Sequence, residues 1–199
     1  MPTGTLATIL HTDIYLIDQI LKNRYDAGGT LLDAGCGGGR NLSWFVEQPN
    51  MDIYAVDMEQ EHIHQLPVLY PSLKREQLIC TPLQSLPFKD AFFDHIICSA
   101  VLHFAESKTM FLHMFAQLNR VLKPGGILFI RMASEMGIEN NILPLGNGKY
   151  ALPDGSERFL LTRPLLEELF QLYPLTLIEP VKTTNVQDLR CMTTLVMQK

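Results

Sequence analysis

The chain has 199 residues, 47% of them hydrophobic, enough for one continuous core, and its formal charge is 16 − 21 = −5. That balance offers no global positive field to a phosphate backbone, which disfavours a nucleic-acid partner. No apolar run reaches the roughly 20 residues of a membrane helix and no basic start leads into an apolar stretch, so a single domain over 1–199, cytoplasmic and without a membrane partner, is expected.

In chain order, residues 5–25 carry Leu6, Ile9, Leu10, Ile14, Ile17 and Leu21 at helical spacing. They predict one or two helices in an N-terminal cap, 1–28, over the sheet edge or the ligand crevice. Short apolar runs then alternate with helix-period segments, the pattern of βα units around a parallel sheet. Residues 30–34, 53–56, 78–80, 93–99 and 127–132 read as strands one to five. Residues 41–48 place Leu42, Phe45 and Val46 on one face and predict the first crossover helix. Residues 107–123 put Phe111, Phe115, Leu118 and Leu122 on one stripe, carry basic residues in the last turn, and stop at Pro124, Gly125 and Gly126.

Residues 134–161 are rich in Gly, Pro and Asn, and a loop of that length in a compact domain predicts a substrate-side lid or insertion. Residues 162–173 predict a helix capped by Thr162, with Pro164 in its first turn. It leads into a strand at 175–178. The last apolar run, 191–197, is joined to that strand by a stretch with no helical period, which fits a hairpin and an antiparallel final strand.

Cys36, Cys80, Cys98 and Cys191 are scattered, with no metal-ligand spacing, and read as reduced thiols; no metal is expected. Cys36 has no evident His or Asp partner to make it a nucleophile.

The chemistry concentrates at the end of the first strand, in Leu31-Leu32-Asp33-Ala34-Gly35-Cys36-Gly37-Gly38-Gly39-Arg40-Asn41. Glycines there let the chain turn sharply and bring bare amides close to a ligand, at the strand end where open α/β sheets bind. A glycine run alone is equally a structural turn. Asp57, at the end of the second strand, adds a carboxylate able to accept hydrogen bonds from both ribose hydroxyls of an adenosine cofactor, or to cap the helix that begins near Met58.

Together with Val56-Asp57, Leu86-Pro87-Phe88, Phe92-Phe93-Asp94 and Leu122-Lys123-Pro124-Gly125-Gly126, the glycine segment resembles class I S-adenosylmethionine-dependent methyltransferases over nearly the whole chain. The resemblance implies an α/β, Rossmann-like doubly wound seven-stranded sheet of order 3-2-1-4-5-7-6 with strand seven antiparallel. It implies that Asp33, Gly35, Gly37 and Arg40 meet the methionine side of S-adenosylmethionine, Asp57 the ribose and Met58 an adenine face. Ser99 and Ala100 would line the methionine end. Where the family often has an acid near the adenine amine this chain has Pro82, so the Leu83 amide and Gln84 side chain are the substitutes. Arg40-Asn41 and Leu189-Arg190-Cys191-Met192-Thr193-Thr194 are further similar to the tellurite- and thiol-methylating branch, which implies Arg190 near the transferred methyl.

The expected function is methyl transfer to a small molecule, a thiol, metalloid oxyanion or hydroxyl, by a monomer or homodimer. Positioning supplies much of such a rate, and a base is needed only for a protonated acceptor. His103, just past the fourth strand, is the candidate; Tyr15, Arg131, Glu135 and Tyr150 could also reach the acceptor. The alternatives are a non-catalytic binder of S-adenosylmethionine or its demethylated product, and an NAD-dependent oxidoreductase. The latter's fingerprint requires glycine where this chain has Arg40.

Overall fold

The computed structural model describes residues 11–199; the first part of the N-terminal cap, 1–10, lies outside the described residues. Helix α1, Ile14–Leu21, starts where Asp13 caps it by accepting from the Tyr15 amide. The strands β1 (Gly29–Ala34), β2 (Met51–Asp57), β3 (Leu78–Cys80), β4 (Phe93–Ser99) and β5 (Leu122–Ser134) are parallel. Helix α2 (Gln60–Leu69) follows β2, and α3 (Lys108–Val121) joins β4 to β5.

Three further strands, β6 (Leu143–Gly146), β7 (Lys149–Ala151) and β8 (Glu157–Phe159), precede α4 (Arg163–Leu172), β9 (Thr176–Leu177), β10 (Lys182–Val186) and β11 (Arg190–Gln198). The main sheet runs β10-β11-β5-β4-β1-β2-β3, with β9 also on β11. Strand β11 is antiparallel to β5, in register from Cys191 against Ser134 to Gln198 against Ile127. The expected order is thus realised, with β9 and β10 sharing the edge assigned to one strand. The hairpin lies between β10 and β11, where Gln187 and Asp188 take positive φ and a Leu189 amide bond to Val186 closes the turn.

Both faces of the sheet are covered, which is why its strands read as unbroken apolar runs. Phe93, Phe111, Phe115, Leu118, Leu165 and Leu195 are buried on the face of α3 and α4. Leu16, Leu31, Phe45, Leu66 and Phe129 are buried on the face of α1 and α2. The cap predicted at Thr162 accepts from the Leu165 amide, and Ser107 caps α3 by accepting from the Met110 amide.

Three expectations are corrected. Residues 41–48 form turns ending in a single 3-10 turn, Phe45–Glu47, instead of a crossover helix. Pro49 forces Gln48 into extended backbone (φ −91°, ψ 116°), and the few residues left after the glycine loop are too short a run to propagate a helix. Helix α3 ends at Val121, before Pro124, because Leu122 already pairs with Phe93 and a register shift before His95 absorbs the extra residues of β5. Residues 134–161 are not a bare loop: β6, β7 and β8 make a small antiparallel sheet, seated through Ile138, Leu152 and Leu160 on Ala133 and Cys191. Among the described residues no helix is long and apolar enough to cross a membrane.

Candidate active site

Strands β1, β2 and β4 end side by side, and the carboxyl ends of parallel strands are where such sheets bind ligands. Beyond β1 the Gly35 and Cys36 amides both donate to the Val56 carbonyl (2.8 and 2.9 Å), turning the glycine loop back over β2. Gly35 takes φ +82°, and a Cβ there would lie 2.3 Å from Val101. Added Cβ atoms at Gly37 and Gly38 would meet nothing within 4 Å, so this part of the loop borders open space.

The loop and the acid of β2 are bonded directly. The Gly37 amide donates to Asp57 Oδ2 (2.8 Å), while Asp57 Oδ1 accepts from the Glu59 amide (2.9 Å) and sits 3.1 Å from His62 Nδ1. Burial by itself would raise the Asp57 pKa, but these amides and the imidazole hold it below the ordinary value. Asp57 thus serves the start of α2 and the glycine loop together, leaving one unused lone pair on Oδ2. On the loop's other side Tyr70 donates its hydroxyl to the Gly39 carbonyl (3.0 Å).

Asp33 is in a different electrostatic state. Its side chain is fully buried, Oδ2 has no hydrogen-bond partner among the described residues, and burial pushes its pKa up to about 7, against only a distant pull from Arg40. A buried carboxyl without a donor is costly to keep, and here it stands on β1 just before the glycine loop.

At the ends of β4 and β5 a buried polar cluster gathers four segments. Asp13 Oδ2 accepts from Arg131 Nη1 (2.9 Å) and Ser99 Oγ (3.1 Å), and Arg40 Nη2 lies 3.9 Å away and 3.3 Å from Ser99 Oγ. The Asp13 amide donates to Asn41 Oδ1 (3.1 Å), and Thr12 Oγ1 to the Arg40 carbonyl. Arg131 is covered by the Tyr15 ring at 5.3 Å. Ala100 follows with φ +64°, a strained value for alanine held by its amide's bond to the Arg131 carbonyl (2.7 Å).

The expected residues are thus brought together unevenly. Asp33, Gly35, Gly37 and Asp57 share one wall, and Arg40, Ser99 and Ala100 share the next. Met58 stands beside Asp57 with its side chain 70% exposed. Leu83 and Gln84 lie on a 3-10 turn, where the Leu83 side chain is buried in the core. Glu135 Oε1 accepts the Arg163 amide at the start of α4, and Tyr150 packs within the small sheet. Arg190 heads β11 at the β10–β11 turn, exposed and 3.9 Å from Asp154.

His103 is buried and hydrogen-bonded. Its Nδ1 accepts the Ala133 amide (3.2 Å), so the neutral ring carries its proton on Nε2, and burial lowers its pKa to about 4. The lone pair that a general base would use is already committed. Sequence reasoning missed Asp13, His62 and Tyr70; Asp13 lies inside the helix-period run 5–25, where its side chain, the cap of α1, carries no signal toward a ligand.

Comparison with known proteins fits this geometry. Residues 32–130 match the family described as "Methyltransferase domain". The chain is 32% identical over 124 residues to the biotin biosynthesis bifunctional protein BioHC of Teredinibacter turnerae, covering 56% of this chain and 21% of that protein. It is 31% identical over 104 residues to a tRNA (carboxymethyluridine(34)-5-O)-methyltransferase of Arabidopsis thaliana, covering 52% and 24%. The chain therefore spans about a quarter of the length of these two relatives. The crystal structure of PH0226 protein from Pyrococcus horikoshii OT3 superposes with a TM-score of 0.71 at 19% identity over 94% of both chains, a likeness of fold.

Proposed function

Because this chain belongs to the methyltransferase-domain family through residues 32–130, we propose that it transfers a methyl group from S-adenosylmethionine to a small acceptor. The observation that carries the reading is the unpartnered, buried Asp33 carboxyl beside a glycine loop bordered by open space. An ammonium group is the partner that such a carboxyl lacks, and the methionine end of the cofactor provides one. The residues present therefore fit the group.

When bound, S-adenosylmethionine supplies a methyl already activated by its sulfonium. Asp33 takes the ammonium, and Gly35 and Gly37 let the backbone approach without side-chain obstruction. Asp57 uses the remaining lone pair of Oδ2 for a ribose hydroxyl. Met58 covers an adenine face, with the Leu83 amide and Gln84 at its edge. Arg40, Ser99 and Ala100 border the methionine end.

The acceptor is a small molecule that presents an anionic or readily ionised atom, such as a thiolate, a metalloid oxyanion or an acidic hydroxyl. That preference follows from His103, whose free nitrogen carries a proton: it positions the acceptor by donating from Nε2 and accepts nothing. Arg190 stands at the rim as a second attraction for an anion. The Arabidopsis relative acts on tRNA by its name, whereas the −5 charge of this chain favours a small acceptor.

The test is calorimetric titration of the full chain with S-adenosylmethionine, S-adenosylhomocysteine and NADH. Wild type is expected to bind the two adenosyl ligands and Asp33→Ala to bind neither; preference for NADH overturns the reading. A screen of thiols, metalloid oxyanions, phenols and a tRNA pool for methyl acceptance then names the acceptor.

A further inference from the structure

The cluster at the ends of β4 and β5 sets two guanidinium groups and a hydroxyl around one carboxylate. Arg131 comes from β5, Ser99 from the end of β4 and Arg40 from the glycine loop, while Asp13 comes from the start of α1. Arg131 and Ser99 donate to one atom, Asp13 Oδ2, while Arg40 donates to Ser99 Oγ and lies 3.9 Å from the same carboxylate oxygen; the other oxygen, Oδ1, is spent on the Tyr15 amide. Among the described residues the Arg131 guanidinium is consequently hydrogen-bonded through Nη1 alone. Its Nε is buried and has no partner among the described residues.

A guanidinium pairs best with a carboxylate that meets two of its N–H groups side by side. Asp13 cannot do this while it caps α1. The arrangement is a carboxylate site filled by a poorly matched resident, at the edge of the sheet where ligands bind.

We propose that Arg131, Ser99 and Arg40 form a ligand carboxylate-binding site, and that Asp13 is a built-in stand-in which the incoming carboxylate displaces. The ligand carboxylate meets Nε and Nη of Arg131 together and receives Ser99 Oγ–H, while Asp13 keeps its cap through Oδ1 and turns Oδ2 toward solvent. Two carboxylates could be the occupant, the one on the methionine end of the cofactor or one on the acceptor. The inference rests on the proposed cofactor in the first case only.

Asp13→Ser retains a side-chain oxygen for the cap and removes the resident carboxylate; Asp13→Asn is the second, more conservative variant, expected to act in the same direction with smaller size. Each is titrated alongside wild type and Arg131→Met with S-adenosylmethionine, with its decarboxylated form, and with malonate in the absence and presence of saturating S-adenosylhomocysteine. If the occupant belongs to the cofactor, Asp13→Ser binds S-adenosylmethionine at least tenfold more tightly than wild type, Arg131→Met at least tenfold more weakly, and the decarboxylated form changes less than twofold in both.

If the occupant belongs to the acceptor, both cofactor forms change less than twofold. Malonate then binds Asp13→Ser at least tenfold more tightly than wild type, and Arg131→Met not at all. A purely structural ion pair predicts the opposite sign: Asp13→Ser weakens every ligand or changes none, and that result overturns the proposal. Loss of all adenosyl binding in wild type sinks the cofactor reading instead, and the malonate titration of the ligand-free protein still decides the carboxylate site.

Discussion

The Gly37 amide donates to Asp57 Oδ2 at 2.8 Å, so the glycine loop and the acid that ends β2 form one hydrogen-bonded unit before any ligand arrives. Asp57→Ala is therefore expected to damage the free protein as well as its ligand affinity. It strands the Gly37 and Glu59 amides, which at about 1–3 kcal/mol corresponds to a Tm lower by several degrees for a chain of this size. Differential scanning calorimetry of the ligand-free protein measures the first effect and titration with S-adenosylhomocysteine the second. An unchanged Tm would show that the bond contributes nothing to loop order.

Asp33 sets a pH dependence whose sign is fixed by its environment. Its folded pKa is raised, from an ordinary 3.8 to about 7, so its contribution to stability is intact below pH 4 and is lost as pH climbs to 7. Asp33→Asn should raise the Tm of the ligand-free protein at pH 8 by at least about 4 °C and leave it nearly unchanged at pH 4. Because the ionised form receives the ammonium, wild-type affinity for S-adenosylhomocysteine should weaken by up to about tenfold per pH unit below 7 and level off above it. A flat affinity between pH 5.5 and 8 contradicts this assignment.

Two glycines three positions apart should respond oppositely to the same substitution. Gly35→Ala places a methyl 2.3 Å from Val101 at φ +82°, a clash and a strained backbone together, with an expected loss of about 2 kcal/mol or more. Gly38→Ala meets no neighbour and needs no positive φ, so its Tm should stay within about 1 °C of wild type. If the ligand lies along the loop, Gly38→Ala still weakens S-adenosylhomocysteine binding at least fivefold.

His103 should leave no mark on the acid side of the activity profile. With a pKa lowered to about 4 it stays neutral through the physiological range, and kcat/KM should lack an inflection between pH 5 and 7 that disappears in His103→Gln. His103→Ala frees the buried Ala133 amide and should lower stability by about 1–3 kcal/mol. An inflection near pH 6.5 that is lost with the side chain would restore the ring as a base.

Much of this fold was written in local patterns. Alternating apolar runs located the parallel strands, and Thr162 marked its helix because a cap is decided within three residues. The site was half legible for the same reason: Asp33, the glycines and Asp57 sit at strand ends that the pattern itself defines. Asp13 was hidden because its partner Arg131 lies 118 positions away, and no local rule couples them. His103 was placed by the pattern, but its tautomer was not, since the bond that fixes it comes from a backbone amide of another strand. The segment after the glycine loop failed differently: Leu42, Phe45 and Val46 have helical spacing and are packed in or against the core, yet Pro49 cuts the run before a helix can form.

That truncated segment has an electrostatic consequence. Dinucleotide sites place a pyrophosphate at the start of the helix that follows the glycine turn, where aligned peptide dipoles sum to a partial positive charge. Here a lone 3-10 turn, Phe45–Glu47, stands in that place, and the carboxylates of Asp33 and Asp57 flank the loop. The field over the glycines is therefore tuned against polyanions and toward a molecule that carries its charge as a cation.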